Sequence, residues 1–400
     1  EIARRLSRGE DAQSIDDVRG TVVRRGDLSS VTDCVEAPSF EEVAVDRPKF
    51  CEAVRIFLGE LNPWTARTLV QKSSGQYVVQ LPPPLPISGE TLDSYYELPY
   101  CRAPHPAYAS AGGVPGFETV SGTITTHRGC FGGCSFCALH AHQGKVVVSR
   151  SVASLVREAS RLAACGSFHG IITDAGGPTA NMYGLGCKDQ TARSKCRRSS
   201  CLMPNVCRNL RTDHRDYLEA LAALKGVKGV RHVFAATGIR FDLALADSSG
   251  RFIEEVCRHH VGGQMKLAPE HSVDGVLAAM NKPGYEIYER FMKEYSATNL
   301  RLGLKQYQVE YYMSGHPGCS VRDMAELSSR LKARGISPRQ AQAFTPTPMT
   351  LSTCMYHTGI NPLTGKEVYV PKSARERREQ LALMQWKSAG RGGFRMDGGC

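Results

Sequence analysis

From about residue 118 onward, short apolar runs alternate along the chain with stretches of helical periodicity. Short apolar runs typical of buried strands are each followed by a stretch with apolar residues on one helical face. The strands we predict are TVSGTITTH (119–127), HGIITDAGG (169–177), VRHVFAATGIR (230–240), QMKLAPE (264–270), KQYQVEYYMSGHPG (305–318) and QAQAFTPTP (340–348). The predicted helices lie between them, at 151–165, 214–225, 252–260, 273–299 and 320–334.

Strands that alternate with helices in this way predict an α/β domain built on a parallel sheet. Six strand and helix steps fit either an open doubly wound sheet or an incomplete TIM-like barrel. Both architectures place functional groups at the carboxyl ends of the strands. We therefore expect the chemistry of this chain at that edge of the sheet.

Residues 1–117 show a different pattern and are predicted to be the C-terminal part of an N-terminal α/β domain. They hold helical patterns at 1–9 and 50–60, a strand at 76–80 and the proline-rich linker PPPLP at 82–86. The core then spans 118–350 with a cysteine-rich insertion at 184–210, and 351–400 form an extension. The chain starts without Met inside a helical pattern, so we expect residues before Glu1. The stretch from about 386 has little periodicity and is expected to be loosely ordered or truncated.

Composition supports a globular protein, because 42% of the residues are hydrophobic. No apolar run is long enough to span a bilayer, which predicts a cytoplasmic protein with no membrane partner. The net charge of +11 makes RNA a possible partner. Much of that charge lies in local groups such as KCRR (195–198) and KSARERRE (372–379), and no RNA-binding signature accompanies them.

Fifteen cysteines in a chain of 400 residues indicate metal binding, because seven of them lie in two bunches and the expected compartment is reducing. One bunch is Cys130, Cys134 and Cys137, and the other is Cys187, Cys196, Cys201 and Cys207. Cys165 and Cys257 occupy helical patterns instead, so we expect both to be small buried core residues.

The first bunch, CFGGCSFC at 130–137, supplies three thiolates where a four-iron cluster held wholly by protein needs four. One iron would be left open to bind a small molecule directly. Gly132 and Gly133 would let the backbone curl around the cluster and direct N–H groups at its sulfurs. The alternative is a zinc knuckle completed by a distant Cys or by a nearby His (His127, His140 or His142).

The second bunch has four cysteines on one polar loop, which fits a closed site holding either zinc or an auxiliary [4Fe-4S] cluster. The basic residues Lys195, Arg197 and Arg198 of this loop would offset the negative charge of thiolate-bound metal. Four thiols without a metal would be prone to oxidation.

The residues Cys130, Cys134, Phe136 and Cys137 match the CxxxCxΦC signature of radical S-adenosylmethionine (SAM) enzymes, with Phe136 as the aromatic residue. The chain resembles the YgiQ-type family within that superfamily over roughly residues 1–385. The segments that carry this resemblance are HRGCFGGCSFCALHAHQGK, SRS (149–151), DAGGPTANMYG (174–184), ATGIR (236–240), QMKLAPEH (264–271), SGHPG (314–318) and FTPTPMTLSTCMYHTGI (344–360). The resemblance implies a six-stranded partial (β/α) barrel with a [4Fe-4S] cluster after the first strand and SAM on its fourth iron.

The resemblance also implies contacts to SAM. Gly176 and Gly177 occupy the place of the superfamily's GGE motif, but Pro178 replaces its Glu, so Asp174 or Thr179 would have to supply the contact to the amino group. The other candidate contacts follow later strands: Thr237, Arg240, Lys266, Glu270, Gly315 and Gly318. For Thr237, Arg240, Lys266 and Glu270 a surface salt bridge is the alternative role.

The implied reaction is reductive cleavage of SAM to methionine and a 5′-deoxyadenosyl radical, which abstracts hydrogen from a substrate that the sequence does not name. An electron donor of the flavodoxin or ferredoxin type would supply the electron. The alternative class is a non-catalytic iron–sulfur or zinc protein that acts in electron transfer or nucleic-acid binding.

Overall fold

A computed structural model describes residues 1–338 and 340–385, so the predicted loose stretch from 386 lies outside the described residues. The N-terminal unit is a four-stranded sheet in the order β1-β4-β3-β2, in which only β2 and β3 run parallel. Its strands are β1 (Val22–Arg25), β2 (Cys34–Ala37), β3 (Thr68–Ser73) and β4 (Gln76–Gln80). Its helices are α1 (Ile2–Leu6), α2 (Phe40–Val45), α3 (Arg47–Gly59) and α4 (Gly89–Tyr96).

Local sequence explains how this sheet turns. Strands β3 and β4 are joined by Ser74 and Gly75, which both have positive φ, at 50° and 77°. A two-residue hairpin turn of type I′ has that conformation at both positions and matches the twist of its strands, and glycine adopts it without strain. Val70 and Val79 lie directly opposite each other and are both buried on one face of the sheet, whereas Leu69, one residue before Val70, is buried on the other face.

The larger unit carries the predicted alternation of strands and helices. Its strands are β5 (Thr123–Thr125), β6 (His127–Arg128), β7 (Val148–Ser149), β8 (Ile171–Ile172), β9 (Asp174–Gly176), β10 (His232–Val233), β11 (Gln264–Glu270), β12 (Tyr307–Ser314) and β13 (Gln340–Ala343). Its helices are α5 (Leu139–His142), α6 (Val152–Ala163), α7 (Gln190–Ser194), α8 (Arg215–Lys225), α9 (Phe241–Leu245), α10 (Phe252–His259), α11 (Asp274–Ala279), α12 (Tyr285–Leu302), α13 (Val321–Ala333), α14 (Leu351–Thr358) and α15 (Ala374–Ala382).

The order of the parallel strands distinguishes the two predicted architectures. Strand β5 pairs with β9, β8 pairs with β10, and β11, β12 and β13 pair in sequence. A hydrogen bond of 3.4 Å from Ile239 N to Lys266 O joins the β10 side to β11. Strands β8 and β9 are separated only by Thr173 and count as one barrel strand, and β6 and β7 pair only with each other. Each parallel strand therefore neighbours the next one along the chain, which is the order of a barrel, whereas a doubly wound sheet reverses its order. Over the described ranges β13 does not pair back to β5, so the barrel is partial.

The helices cover the outside of the strands and complete one continuous core, which includes Leu155, Tyr217, Phe252 and Phe291. Cys257 is 1% exposed, as predicted. The prediction for Cys165 is wrong: it is exposed, because α6 ends at Ala163 and its Sγ lies 3.4 Å from the carbonyl of Arg161. The helix predicted over 273–299 is two helices, because Pro283 and Gly284 separate α11 from α12.

The two units are in direct contact. Helix α3 packs against α14, and Asp93 of α4 accepts a hydrogen bond of 3.0 Å from the backbone N of Ser151, which precedes α6. Glu97 pairs with Arg157 and Arg161 on α6 at 3.0 and 2.8 Å. No helix among the described residues is long and apolar enough to span a membrane.

Candidate metal centre

The segment CFGGCSFC follows the first barrel strand, and its three cysteines line one cavity of about 180 Å³. Phe136, Arg240 and Glu270 line the same cavity, together with residues from the ends of three later strands. Parallel strands present their carboxyl ends at one edge, so residues distant in sequence meet there. The structure thus brings the predicted cysteines together with three of the predicted SAM contacts.

The two glycines between the cysteines are required by close contacts. A Cβ at Gly132 would lie 2.8 Å from Nη1 of Arg240, and one at Gly133 would lie 2.8 Å from the carbonyl oxygen of Ser199. Gly133 also has φ of +64°, which side chains rarely adopt. The N–H of Gly132 points at Sγ of Cys130, at 3.4 Å. The predicted curling of the backbone and the N–H directed at a sulfur are therefore present.

Arg240 is buried and binds the cysteine loop directly. Its Nη1 donates to Sγ of Cys134 at 3.3 Å, while Nε and Nη2 donate to the carboxylate of Asp242 at 3.0 and 2.9 Å. Burial works against the charge, but Asp242 and Cys134 outweigh it and raise the pKa of Arg240. Arg240 therefore forms a salt bridge, as the alternative role predicted, but it does so with Asp242 in the interior and not on the surface. It also places a permanent positive charge beside Cys134, a predicted metal ligand.

The thiols themselves are held in surroundings of low polarity. Burial raises the pKa of Cys130, and it raises that of Cys137 to about 11. A thiolate is the form that binds metal, so the site needs nearby cations or the metal itself to favour deprotonation. Arg240 is such a cation, and Lys282 lines the same cavity.

Glu270 is the most strained residue of the cavity wall. It is a non-glycine residue with φ of 69°, at the end of β11 where the register with β12 shifts. Such a backbone costs of order 1–3 kcal/mol and persists where the surroundings enforce it, often at functional sites. Burial raises the pKa of its carboxyl group, although Lys282 and Arg240 lower it in part. Glu270 therefore faces the cavity as a carboxyl group that takes up a proton more readily than an exposed one.

The zinc-knuckle alternative finds no support in the geometry. Among residues 1–338 and 340–385, no three Cys, His, Asp or Glu side chains are placed to hold a single metal ion. Of the three nearby histidines, His140 lines the cavity, His142 lines a separate one, and His127 lies under Gly177. The cysteines of a cubane bind different irons, so they stand farther apart than the ligands of one zinc ion.

The end of the second strand forms a neighbouring cavity. Gly176, Gly177 and Thr237 line it, while Thr179 lines the cavity of the cysteines. Asp174 also lines this cavity, and its carboxylate accepts from the N–H groups of Ala236 and Thr237, at 2.7 and 2.8 Å, and from the Thr237 hydroxyl. Thr179 remains a candidate contact to the amino group of SAM.

His127 is a functional candidate that the sequence reasoning used only as a possible zinc ligand. A Cβ at Gly177 would lie 2.7 Å from its ring, so only glycine allows the two to approach. Its Nδ1 lies 2.9 Å from the hydroxyl of Thr126, whereas Nε2 is buried and has no hydrogen-bond partner among the described residues. Burial lowers its pKa to about 4, so the ring is neutral near pH 7.

Gly315 and Gly318 lie away from both cavities. The N–H of Gly315 donates to Oε1 of Gln380 at 2.8 Å, and that of Gly318 donates to the carbonyl of Tyr369 at 2.7 Å. Both glycines have positive φ, at 71° and 90°. The C-terminal extension therefore covers these glycines, and their backbone groups are used in holding it. Lys266, by contrast, is exposed and lines a third cavity with Thr237 and Glu270.

A partial parallel barrel with a CxxxCxxC group after its first strand defines a protein of the radical SAM class. Residues 1–123 match the family described as "Radical SAM N-terminal", and residues 339–391 match a "Domain of unknown function (DUF3362)". The chain belongs to the UPF0313 family, since it is 42% identical to the UPF0313 protein of Methanosarcina mazei over 97% of this chain and 67% of that protein.

Other relatives agree with this assignment. The UPF0313 protein of Methanosarcina acetivorans is 44% identical over 97% of this chain, and that of Geobacter sulfurreducens is 47% identical over 96%. The chain spans only 55% and 63% of those two proteins. Solved structures of the radical SAM methyltransferase TsrM from Kitasatospora setae are also similar, at 14% identity. One has a TM-score of 0.35 and covers 58% of this chain and 37% of its own, and the other has 0.38 and covers 66% and 52%. No property is transferred at that level of likeness.

Proposed function

We propose that this chain carries the catalytic core of a radical SAM enzyme, with a [4Fe-4S] cluster on Cys130, Cys134 and Cys137. The observation that carries the proposal is that the three thiols converge on one cavity at the carboxyl ends of the strands, where Arg240 and Glu270 also lie. The cluster, when bound, would supply the single electron that cleaves the sulfonium of SAM.

The residues present fit such a cluster. The cavity accommodates a group much larger than a single ion, and the two glycines allow the loop to approach both Arg240 and Ser199. The Gly132 N–H and the Arg240 guanidinium donate to two of the three sulfurs. Hydrogen bonds to the sulfurs stabilise their negative charge and thereby tune the reduction potential.

Several other groups would position SAM beside that cluster. Phe136 provides an apolar face on the cavity wall, held edge-on to His316 with ring centroids 6.2 Å apart. Thr179, Thr237 and Glu270 line the adjoining cavities with polar atoms that suit the amino, hydroxyl and carboxylate groups of SAM. The backbone of Gly176 and Gly177 is open to close approach by a ligand.

The test is anaerobic reconstitution with iron and sulfide, followed by SAM and dithionite, with 5′-deoxyadenosine and methionine measured by mass spectrometry. We expect both products from the unmodified chain and from Cys165→Ala, which changes an exposed cysteine outside the cavity. Cys134→Ala should form neither. An intact cluster that yields no 5′-deoxyadenosine would overturn the proposal and favour a non-catalytic iron–sulfur protein.

In this proposal the cell supplies the electron through a one-electron donor of the flavodoxin or ferredoxin class. Replacing dithionite with a reduced flavodoxin in the same assay should still yield 5′-deoxyadenosine. A chain that responds only to dithionite would remove this part of the proposal and leave the cleavage itself in place.

A further inference from the structure

The four cysteines of the 184–210 insertion converge on one cavity, which we call the second cysteine site. Cys187, Cys196, Cys201 and Cys207 line this cavity, although as many as twenty residues separate them in sequence. None of the four is fully exposed. The charged residues between them, including Lys188, Asp189, Lys195, Arg197 and Arg198, are exposed. The loop therefore gathers its four thiols on one cavity and leaves most of its charged side chains exposed.

The backbone of the insertion is fixed in this arrangement without any disulfide. Its two ends meet at a bridge between Cys187 and Leu210, where Lys188 N donates to the carbonyl of Asn209 at 2.7 Å. Cys207 N donates to the carbonyl of Cys201 at 2.8 Å. The Arg198 guanidinium bonds the carbonyls of Met203 and Asn205, at 3.0 and 2.7 Å. The four thiols are thus placed by an ordered scaffold.

The spacing of the thiols argues against a single ion. Four cysteines on one zinc ion lie about 2.3 Å from it, which brings their sulfurs almost into contact and leaves no space between them. Within the described ranges no such set of ligands exists. Instead the thiols border a cavity of about 150 Å³. A four-iron cubane takes one thiolate on each iron, so its four cysteines surround a space and do not meet at one ion.

The charges around the second cysteine site suit a negatively charged cluster. Nζ of Lys145 lies 3.8 Å from Sγ of Cys196, and Arg193 and Arg198 also line the cavity. Lys195 and Arg197, which the sequence suggested for this role, are exposed and do not line it. Asn62 and Trp64 of the N-terminal unit cover the site: Nδ2 of Asn62 donates to the carbonyl of Cys196 at 2.6 Å, and Arg193 stacks 4.6 Å from the Trp64 ring.

The second cysteine site is also joined directly to the first cysteine loop. Cys201 N donates to the carbonyl of Phe131 at 3.0 Å, and the Ser200 hydroxyl donates to the carbonyl of Gly132 at 2.7 Å. Phe131, Leu202 and Leu210 form a small apolar core between the two, against which Cys130, Cys201 and Cys207 pack. Such an apolar wall limits access of water to both sites.

We propose that Cys187, Cys196, Cys201 and Cys207 bind a second [4Fe-4S] cluster, one thiolate to each iron. Each thiol releases its proton to solvent as its iron–sulfur bond forms, and Lys145, Arg193 and Arg198 offset the resulting charge. All four irons are protein-bound, so this cluster has no open position for SAM. The proposal does not depend on SAM cleavage, because it concerns ligands that the first site does not use.

The test counts metals in the reconstituted chain and in two variants. The unmodified chain should hold about eight irons and eight sulfides. The triple variant of the first site (Cys130→Ala, Cys134→Ala, Cys137→Ala) should keep about four irons and a reducible cubane signal in electron paramagnetic resonance, while losing 5′-deoxyadenosine formation. The double variant Cys196→Ala, Cys201→Ala should lose about four irons.

The control is Cys101→Ala combined with Cys165→Ala, which changes two exposed cysteines outside both sites and should keep the full iron content. About four irons with one zinc in the unmodified chain would overturn the proposal in favour of a structural zinc site. About four irons without zinc would overturn it altogether. The count on the unmodified chain decides the question even if a variant fails to fold.

Discussion

At the scale of single residues, the first cysteine loop (residues 130–137) contains glycines where a side chain would collide with its neighbours. Gly133 has the left-handed conformation and its missing Cβ would press on the backbone of Ser199. Gly144 has a similar conformation, with φ of +87°, but nothing lies within 4 Å of the position of its Cβ. Comparing alanine variants at these two glycines therefore distinguishes the cost of backbone strain from the cost of a close contact.

Gly133→Ala should cost more stability than Gly144→Ala. In both variants the left-handed backbone costs about 1–2 kcal/mol, but only in Gly133→Ala must the backbone at Ser199 move to make room for the new Cβ. Urea unfolding of the two variants, with iron content measured beside it, checks this. Equal losses of stability and iron in the two variants would show that the contact with Ser199 has no effect.

Arg240 was predicted from the sequence as a contact to SAM, and the structure shows it bound to Cys134 and Asp242. The sequence could not reveal this, because the direction of a guanidinium depends on tertiary neighbours that lie 106 residues apart, as Arg240 and Cys134 do. Asp242 was missed for the same reason. Its position two residues after Arg240 was the only available signal.

Arg240→Gln should destabilise the chain by about 3–5 kcal/mol, because it leaves the buried Asp242 carboxylate without its partner. The double variant Arg240→Gln, Asp242→Asn should recover much of that loss, which urea unfolding can measure. The potential of the first cluster should become more negative in both variants, since Cys134 loses a charged donor. An unchanged reduction potential of the first cluster would show that Arg240 has only a structural role.

At the scale of elements, most strands and amphipathic helices of the larger unit were predictable, whereas most strands of the N-terminal sheet were not. The bounds of β4 and β11 agree with the predicted strands residue for residue. Strand β10 was predicted over 230–240 but covers only His232–Val233. The chain leaves the strand after Val233, and the loop that follows places Thr237 and Arg240 at the cavities. Strands β1, β2 and β3 were missed. The four-residue segments VVRR and CVEA carry too little alternation, and β3 begins with three consecutive buried residues.

The end of β11 also fixes a buried histidine that makes stability depend on pH. His271 is fully buried, and its Nδ1 accepts a hydrogen bond of 3.0 Å from the N–H of Val273. Burial lowers its pKa to about 4 from an ordinary value of 6.5. Above that ordinary value the ring is neutral in both states and contributes no pH dependence. Between about pH 6.5 and pH 4 the unfolded chain binds a proton that the folded chain does not, so the free energy of unfolding decreases as the pH is lowered.

His271→Asn should flatten this dependence. The Asn oxygen can accept the same Val273 N–H two residues later, as in an Asx turn, but it does not titrate. The original chain should lose roughly 3 kcal/mol from His271 between neutral pH and about pH 4, and the variant should lose less. Urea unfolding at about pH 7.5 and pH 5 measures the difference, and identical slopes in the two proteins would contradict the assignment.

At the scale of the whole molecule, the N-terminal unit packs against the unit that carries the barrel. The sequence placed a linker at PPPLP, yet this segment is held by Arg19, whose Nε donates to the carbonyl of Pro83 at 3.0 Å. Asp93 contacts Ser151 at the start of α6, Glu97 pairs with Arg157 on α6, and Arg102 donates to the carbonyl of Thr123 in β5. Asn62 and Trp64 contact the second cysteine site. Composition could mark the boundary between the units but not the contacts that cross it.

The N-terminal unit should therefore protect the second cluster rather than the first. Trp64→Ala removes the ring under Arg193 and opens the cavity wall. Loss of iron to an external chelator should become severalfold faster at the second site, followed in the triple variant of the first site, where only that cluster is present. Tyr100→Ala is the matched control, because it removes an aromatic ring that is 62% exposed and lies in the same unit. Equal rates of iron loss in the Trp64 and Tyr100 variants would show that Trp64 does not shield the cluster, and they would leave the metal count as the independent measure of whether it is there.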